Sequence, residues 1–328
     1  MDNALLETLT RKALTTGARP FSFIWQGGEP TLMGTPFYRE ALALQKKYAP
    51  DGNVENALQT NGLLIDDEWA AFLAESSFLV GISLDGPEDV HDAHRVTSGG
   101  RGTWNTVRQA ARRLHGAGAM VNGLCCVSRA SEGRAADIYR YFKAEGFRYL
   151  QCIPVWEVDA KGAPLPFSVS PEGYGEFLVE LFDVWNADKV RDRVSIRLFD
   201  SLAAVLAGGP PPECGLLRSC GVYLTVEHEG SVYPCDFFVH KAHHLGNVLD
   251  HALPQMLNSP KQRRFGQAKS RTPDQCRNCE WITLCRSGCL KFRAFPQGTN
   301  GNNSAPEYVF CRSMVRFFNH AVPRAFRG

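Results

Sequence analysis

No cysteine precedes Cys125 in this chain of 328 residues, and no apolar run is long enough to cross a bilayer. The opening Met1-Asp2-Asn3-Ala4 lacks the basic stretch and long apolar core of a secretory leader. Neither sign of charge dominates, with 36 Lys and Arg against 34 Asp and Glu, and no basic block stands out. Composition therefore argues against nucleic acid and against a membrane surface as partners. There is no internal repeat and no low-complexity segment. What remains is the expectation of a cytoplasmic protein whose 44% apolar content is enough for a large core, in one large domain or two.

Against that scarcity, the second half is rich in thiols. Of 11 cysteines, nine follow residue 150 and eight lie between Cys214 and Cys311. A reducing compartment does not favour eight disulfide cysteines, so metal ligation is the better reading. The spacings are Cys214-x5-Cys220-x14-Cys235, then Cys276-x2-Cys279-x5-Cys285-x3-Cys289, then Cys311. Eight thiols suffice for two four-thiolate sites, and soft thiolates select zinc or iron–sulfur clusters. The C-x2-C pair brings two thiolates from one tight turn to one site. The spacing alone leaves zinc and iron open. Cys125, Cys126 and Cys152 lie in strand-like runs and read as small buried apolar residues.

The first half alternates. Strand-like runs at Phe21–Trp25, Val54–Thr60, Phe78–Leu84, Met120–Val127 and Tyr149–Val155 are separated by helical patterns at Phe37–Tyr48, Asp67–Glu75, Trp104–His115 and Ala136–Glu145. Asn61-Gly62 and Asp85-Gly86-Pro87 punctuate the joints. Such βα units build a parallel sheet or barrel, with ligands at the carboxyl ends of the strands. The first element, Ala4–Thr15, is instead a helix with Leu5, Leu6, Leu9 and Ala13 on one face, and no strand precedes it. Further on, Glu172–Asp188 reads as a helix and Val194–Leu198 as a possible strand. Gly208-Gly209-Pro210-Pro211-Pro212 marks a break, and Gly298–Ala305 a flexible loop.

At the end of the first strand-like run stands Trp25-Gln26-Gly27-Gly28-Glu29-Pro30-Thr31-Leu32. Glycines there let a backbone approach a ligand with no Cβ in the way, although an ordinary tight turn would use them too. The ordered set Gly27–Pro30, Gln59–Gly62 (QTNG), Ser83–Pro87 (SLDGP), His91–Arg95 (HDAHR), Gly230–Phe238 (GSVYPCDFF), Leu245–Val248 (LGNV) and C-x2-C-x5-C-x3-C resembles the radical S-adenosylmethionine (SAM) enzymes with a SPASM-type auxiliary domain. Within them it looks most like the anaerobic sulfatase-maturating enzymes. The likeness covers nearly the whole chain.

The resemblance implies an α/β fold. It would be a partial parallel, TIM-like βα barrel lacking its first strand over 1–170, a bridging segment over 171–213 and an auxiliary-cluster domain over 214–328. It implies that Gly27, Gly28, Glu29 and Pro30 hold the SAM ammonium through the backbone. Ser83 and Arg95 would hold its carboxylate, with Asn61 at the border of the cofactor and Gln26 at the substrate. Cys214, Cys220, Cys235 and Cys289 would bind one auxiliary 4Fe–4S cluster, and Cys276, Cys279, Cys285 and Cys311 a second. The implied reaction oxidises a cysteine or serine of a sulfatase polypeptide to Cα-formylglycine. A 5′-deoxyadenosyl radical takes the Cβ hydrogen, Asp236 takes a proton, an auxiliary cluster takes an electron, and a flavodoxin- or ferredoxin-like donor supplies reducing power. The alternatives are another SPASM peptide-modifying enzyme, or a non-catalytic cluster- or zinc-binding remnant.

Two departures stand out. Leu290 occupies a position where the family has proline. The C-x3-C-x2-C loop of the third, SAM-binding cluster is missing, as is the strand before it. From this the sequence suggests a reading frame whose start lies upstream of Met1, and 328 residues that are inactive by themselves.

Overall fold

The computed structural model describes residues 1–18, 20–189, 193–294 and 306–325. The expected loop at 298–305 lies outside the described residues. The chain opens with α1 (Asn3–Leu14), capped by the Asp2 carboxylate on the Leu5 amide at 2.8 Å. Then β1 (Phe21–Trp25), α2 (Gly34–Tyr48), β2 (Val54–Thr60), α3 (Asp67–Glu75) and β3 (Leu79–Ser83) follow in alternation. The short α4 (Glu88–Asp92) and α5 (Trp104–Gly116) lead to β4 (Met120–Val127), α6 (Ala135–Ala144), β5 (Tyr149–Pro154), α7 (Pro171–Ala187), β6 (Ser195–Ile196) and α8 (Arg197–Leu206).

These strands form one six-stranded parallel sheet in the order β1-β2-β3-β4-β5-β6, so each βα unit lays its strand beside the previous one. The expected α/β architecture of parallel βα units is therefore present. β6 is shorter than the Val194–Leu198 run because Arg197 already opens α8, whose Phe199 and Leu202 turn into the core. Alternation assigns the two faces of the sheet. A Cβ on Gly123 would collide with Phe142 at 2.6 Å, which marks the helix-covered face. A Cβ on Gly81 would meet Leu124 at 2.8 Å and Gln59 at 3.4 Å, which marks the inner face. Ser83, two residues beyond Gly81, shares that inner face at the carboxyl end of β3.

The second half is built of small pieces. An antiparallel sheet of β7 (Thr225–Val226), β8 (Ser231–Tyr233) and β9 (Gly246–Asn247) precedes α9 (Leu253–Leu257), α10 (Pro260–Ser270) and α11 (Ile282–Cys285). β10 (Arg293–Ala294) pairs antiparallel with β11 (Glu307–Tyr308), and α12 (Cys311–Ala325) closes the fold. α12 packs on α7 so closely that a Cβ on Gly175 would sit 3.0 Å from the Ser313 Cα. Phe317 stacks on Phe199 at 5.5 Å, and Phe182 lies 6.4 Å from Phe317. The main core consequently runs from Leu6 to Ala321.

α1 joins the halves. Leu6 enters the main core, and Ala13 and Leu14 pack with Phe23 and Ala49. Leu5 and Leu9 turn the other way, onto Val232, Val248 and Met256 of the second half. Gly230 lets the β7–β8 hairpin approach this helix, since its absent Cβ would lie 3.2 Å from Leu5 Cδ1. Lys12 adds polar anchorage by donating to the carbonyls of Val248 at 2.6 Å and Leu249 and His251 at 3.1 Å.

Leu5→Ala and Leu9→Ala are each expected to lower the unfolding free energy by about 2–3 kcal/mol, the cost of deleting buried leucine methyls. Urea unfolding measures that loss. Limited proteolysis between residues 222 and 238 should accelerate in parallel, and an unchanged cleavage rate would show that α1 does not hold the hairpin.

Candidate active site

β1 ends where its loop leaves the sheet, and the two glycines there have positive φ, 93° at Gly27 and 55° at Gly28. That backbone suits glycine and strains other residues. A Cβ at either position would meet nothing within 4 Å, so both face open space rather than packed protein. Glu29 does the shaping. Its Oε1 accepts from the Thr31 amide at 3.1 Å, the Thr31 hydroxyl at 2.6 Å and the Thr60 hydroxyl at 2.7 Å, while Oε2 accepts from the Asn61 amide at 2.8 Å. This carboxylate locks the loop after β1 to the end of β2, and its side chain is fully engaged. Pro30 opens a short 3-10 turn, Pro30–Met33, and its carbonyl accepts from the buried Tyr38 hydroxyl at 2.9 Å. The Asn61 side-chain Oδ1 accepts from the Leu63 amide at 2.9 Å.

Ser83 ends β3, in register with Leu124 of β4. Arg95 reaches the same region from the segment after α4, but its guanidinium is already gripped. Nε donates to Asp85 Oδ2 at 2.6 Å and Nη2 to Asp85 Oδ1 at 3.1 Å, with Cys126 Sγ 3.3 Å from Nη2. Asp85 Oδ1 also accepts from the Cys126 amide at 2.8 Å. Nη1 is the part of the fork these contacts leave over. Asp85 is thus a positioning residue that motif reading passed over, though it lies inside SLDGP. His91 completes the set: its Nδ1 accepts from the Asp85 amide at 3.2 Å and its Nε2 faces the Thr103 hydroxyl at 3.0 Å. Burial pushes the His91 imidazole down to about 4, so it is neutral here.

Gln26 and Asp236, 210 residues apart in sequence, meet across the two halves. Gln26 Nε2 donates to Asp236 Oδ2 at 3.1 Å. On the other oxygen, the Tyr223 hydroxyl donates to Asp236 Oδ1 at 2.7 Å and lies 3.2 Å from Cys235 Sγ. Neither donor is a cation. The pair orients the carboxylate without neutralising it, which suits a proton acceptor. Burial, then the bonds to Cys235 and Asp236, drive the Tyr223 phenol up, so it acts as a donor. Tyr223 carries no spacing signal in the sequence.

The eight thiols of the second half surround two recesses. One is lined by Cys214, Cys220, Cys235 and Cys289 together with Tyr223, Phe237 and Phe238. The other is lined by Cys276, Cys279, Cys285 and Cys311. Burial pushes the thiols of Cys220, Cys289 and Cys311 up to about 11 and those of Cys235 and Cys285 up to about 12. Such thiols stay protonated until a metal group takes the proton's place.

The arrangement bears on which group fits. A single tetrahedral zinc with bonds of about 2.3 Å needs sulfurs about 3.8 Å apart. Among the described residues, the metal-ligand types found within 4.8 Å of one another are Glu227, His228 and Glu229, not any three cysteines. Thiols spread around an open recess fit a multi-iron cluster.

α10 braces the first recess. Gln262 Nε2 donates to the carbonyls of Gly221 at 3.1 Å and Tyr223 at 3.2 Å. A Cβ on Gly266 would strike the Cys220 carbonyl at 2.7 Å. Cys125, by contrast, is buried away from both recesses, with Sγ 3.3 Å from the Asp85 carbonyl.

Residues 6–140 match the Radical SAM superfamily model, and residues 214–280 match SPASM, an iron–sulfur cluster-binding domain. A cysteine-type anaerobic sulfatase-maturating enzyme of Clostridium novyi is 37% identical over 98% of this chain and 85% of its own length. A serine-type anaerobic sulfatase-maturating enzyme of Bacteroides thetaiotaomicron is 33% identical over 98% of this chain and 81% of its own. Among solved structures, native anSMEcpe with bound AdoMet and peptide superposes with a TM-score of 0.90 at 36% identity, covering 99% of this chain and 90% of that one. Streptococcus suis SuiB bound to S-adenosylmethionine shares the fold at a TM-score of 0.54 and 14% identity, over 89% of this chain and 66% of that one.

His91 gives the site a pH signature. The unfolded chain protonates an imidazole near 6.5, whereas the folded chain resists until about 4. Stability is therefore complete above about pH 6.5 and declines as pH falls toward 4. Between pH 7.5 and 5.5 this one group should remove about 1.3 kcal/mol. His91→Gln, which keeps an acceptor for the Asp85 amide, should lack that component. Urea unfolding at the two pH values measures it, and identical pH slopes in parent and variant would refute the assignment.

Proposed function

The chain belongs to the anaerobic sulfatase-maturating enzymes, and from that membership we propose that its sheet mouth binds SAM and that Asp236 serves the oxidation of a sulfatase cysteine or serine to Cα-formylglycine. The observation that carries this reading is the meeting of Gln26 and Asp236 at 3.1 Å, where the end of β1 faces a four-cysteine recess. The family's cofactors are SAM and iron–sulfur clusters. When bound, they supply the 5′-deoxyadenosyl radical that removes the Cβ hydrogen and a site that accepts the remaining electron.

The chain's own residues do the rest. Gly27 and Gly28 present bare backbone to the cofactor, in a loop whose shape Glu29 maintains. Ser83 and the Nη1 edge of Arg95 bind its carboxylate by neutral and charge-assisted hydrogen bonds. Asn61 borders it with its side-chain amide. Gln26 touches the substrate and holds Asp236 in place. Asp236 accepts the thiol or hydroxyl proton as the carbon is oxidised, with Tyr223 fixing its other oxygen. Cys214, Cys220, Cys235 and Cys289 hold one 4Fe–4S cluster, and Cys276, Cys279, Cys285 and Cys311 a second. A third, SAM-binding cluster needs the C-x3-C-x2-C loop, which these 328 residues do not contain. A flavodoxin- or ferredoxin-like protein delivers electrons, and the cytoplasm is where so many free thiols stay reduced.

Anaerobic reconstitution should give brown protein with about eight iron and about eight sulfide per chain, for two four-iron clusters. Cys235→Ala and Cys279→Ala should each lose about half of both. Colourless protein with stoichiometric zinc would sink the cluster assignment.

Asp236→Asn tests the chemistry in a polypeptide that joins these residues to a C-x3-C-x2-C loop. Iron content should persist while formylglycine formation on cysteine- and serine-containing sulfatase peptides falls at least about a hundredfold, the scale of losing a positioned base. Unchanged peptide oxidation, read by mass spectrometry, would assign the proton to another group.

A further inference from the structure

Lys269 is a lysine with no place in the reaction as described, yet it is only 2% exposed. It sits in the last turn of α10, and its ammonium donates to three backbone carbonyls: Gly215 at 2.8 Å, Gly288 at 2.8 Å and Arg286 at 3.5 Å. Each acceptor adjoins a cysteine. Gly215 follows Cys214 and Gly288 precedes Cys289, both of the first recess; Arg286 follows Cys285 of the second. One side chain therefore ties loops of both recesses.

A second cation stands behind it. Arg293 donates through Nη2 to the carbonyls of Lys269 at 3.0 Å and Arg286 at 3.3 Å, and through Nε to that of Ser287 at 2.9 Å. These contacts are again carbonyls and not carboxylates. Glu213 is a carboxylate whose ionisation Lys269 favours, but burial pushes the Glu213 carboxyl up toward its neutral form. Burying an ammonium against dipoles alone is unfavourable, and lysine is seldom fully buried without an opposite charge. Burial pulls the Lys269 ammonium below its ordinary value and Arg293 adds to that; the groups that work the other way are Cys220, Cys289 and Cys285.

Resting on the two-cluster reading above, we propose that Lys269 is the buried counter-charge of the cluster held by Cys214, Cys220, Cys235 and Cys289, and that its charge raises the potential at which that cluster accepts an electron. The substrate radical loses one electron to the cluster and one proton to Asp236. The net negative charge of the cluster site grows by one, and a fixed cation beside it favours that reduced form. The effect is larger at this site than at the second, because two of the three carbonyls, and the shorter contacts, belong to its loops.

Lys269→Gln keeps hydrogen-bond donors and removes the charge; Lys269→Arg keeps the charge. Iron and sulfide analysis of the reconstituted parent comes first: a parent without clusters fails the two-cluster reading, not the role of the lysine. Redox titration followed by electron paramagnetic resonance then reads the potential, with Cys279→Ala as the background that isolates the first cluster. Lys269→Gln should shift its reduction equilibrium at least about tenfold toward the oxidised form, or about 59 mV for one electron. Lys269→Arg should stay within about threefold of the parent, by the same conversion. A Lys269→Gln protein with full iron and the parental potential overturns the proposal. Should Lys269→Gln fail to hold iron, retention decides: iron kept by Lys269→Arg supports the charge, and equal loss in both variants overturns it.

Discussion

The packing of α1 between the two halves is the constraint on which the site depends. Gln26 belongs to the loop after β1, and Asp236 to a turn that follows the hairpin of β7 and β8. Neither segment carries the other. Their contact exists because Leu5 and Leu9 bury themselves on the hairpin side while Leu6, Ala13 and Leu14 bury themselves on the sheet side. A helix whose apolar face is shared between two partners is a wedge rather than a lid, and its packing holds the two segments together.

Around the mouth of the sheet, the charged side chains divide into two kinds. Glu29 and Asp85 face inward and satisfy the protein: the first binds two strand-end loops together, the second grips Arg95 and the backbone of β4. Asp236 is held by neutral groups instead: the Gln26 amide, the Tyr223 phenol and, at 3.4 Å, the Cys235 thiol. This asymmetry leaves one carboxylate in the cleft without a cationic partner among its hydrogen bonds. Charged pairs hold the walls, and neutral donors hold the carboxylate between them.

The parallel sheet was legible because each βα unit carries its own local signals. Period-two runs end in glycine-bearing turns, and the 3.6-residue patterns between them show an apolar stripe. The cysteine spacing likewise announced metal sites, since thiols outside disulfides have few other uses at such density. Legibility failed where a role depends on neighbours distant in sequence. Tyr223 looks like any aromatic residue after a cysteine, and only the fold brings its hydroxyl to Asp236. α10 is mostly polar, so nothing in its pattern marks Gly266 as the point where Cys220 passes or Lys269 as a buried residue. The grip of Asp85 on Arg95 is invisible in the sequence because Asp85 sits in a turn motif that explains itself without it. α8 was missed because a short strand pattern, Val194–Leu198, overlapped its first turn.

Cys285 and Cys289 are four residues apart in sequence, yet they line different recesses, and Cys289 joins partners that lie some way upstream while Cys285 joins Cys311 at the start of the closing helix. The chain thereby crosses between the recesses three times from Cys235 to Cys311, like a cord threaded through two eyelets. A cut anywhere between Cys276 and Cys311 therefore severs backbone that supplies ligands to both recesses, so neither can be excised as a contiguous segment that leaves the other whole.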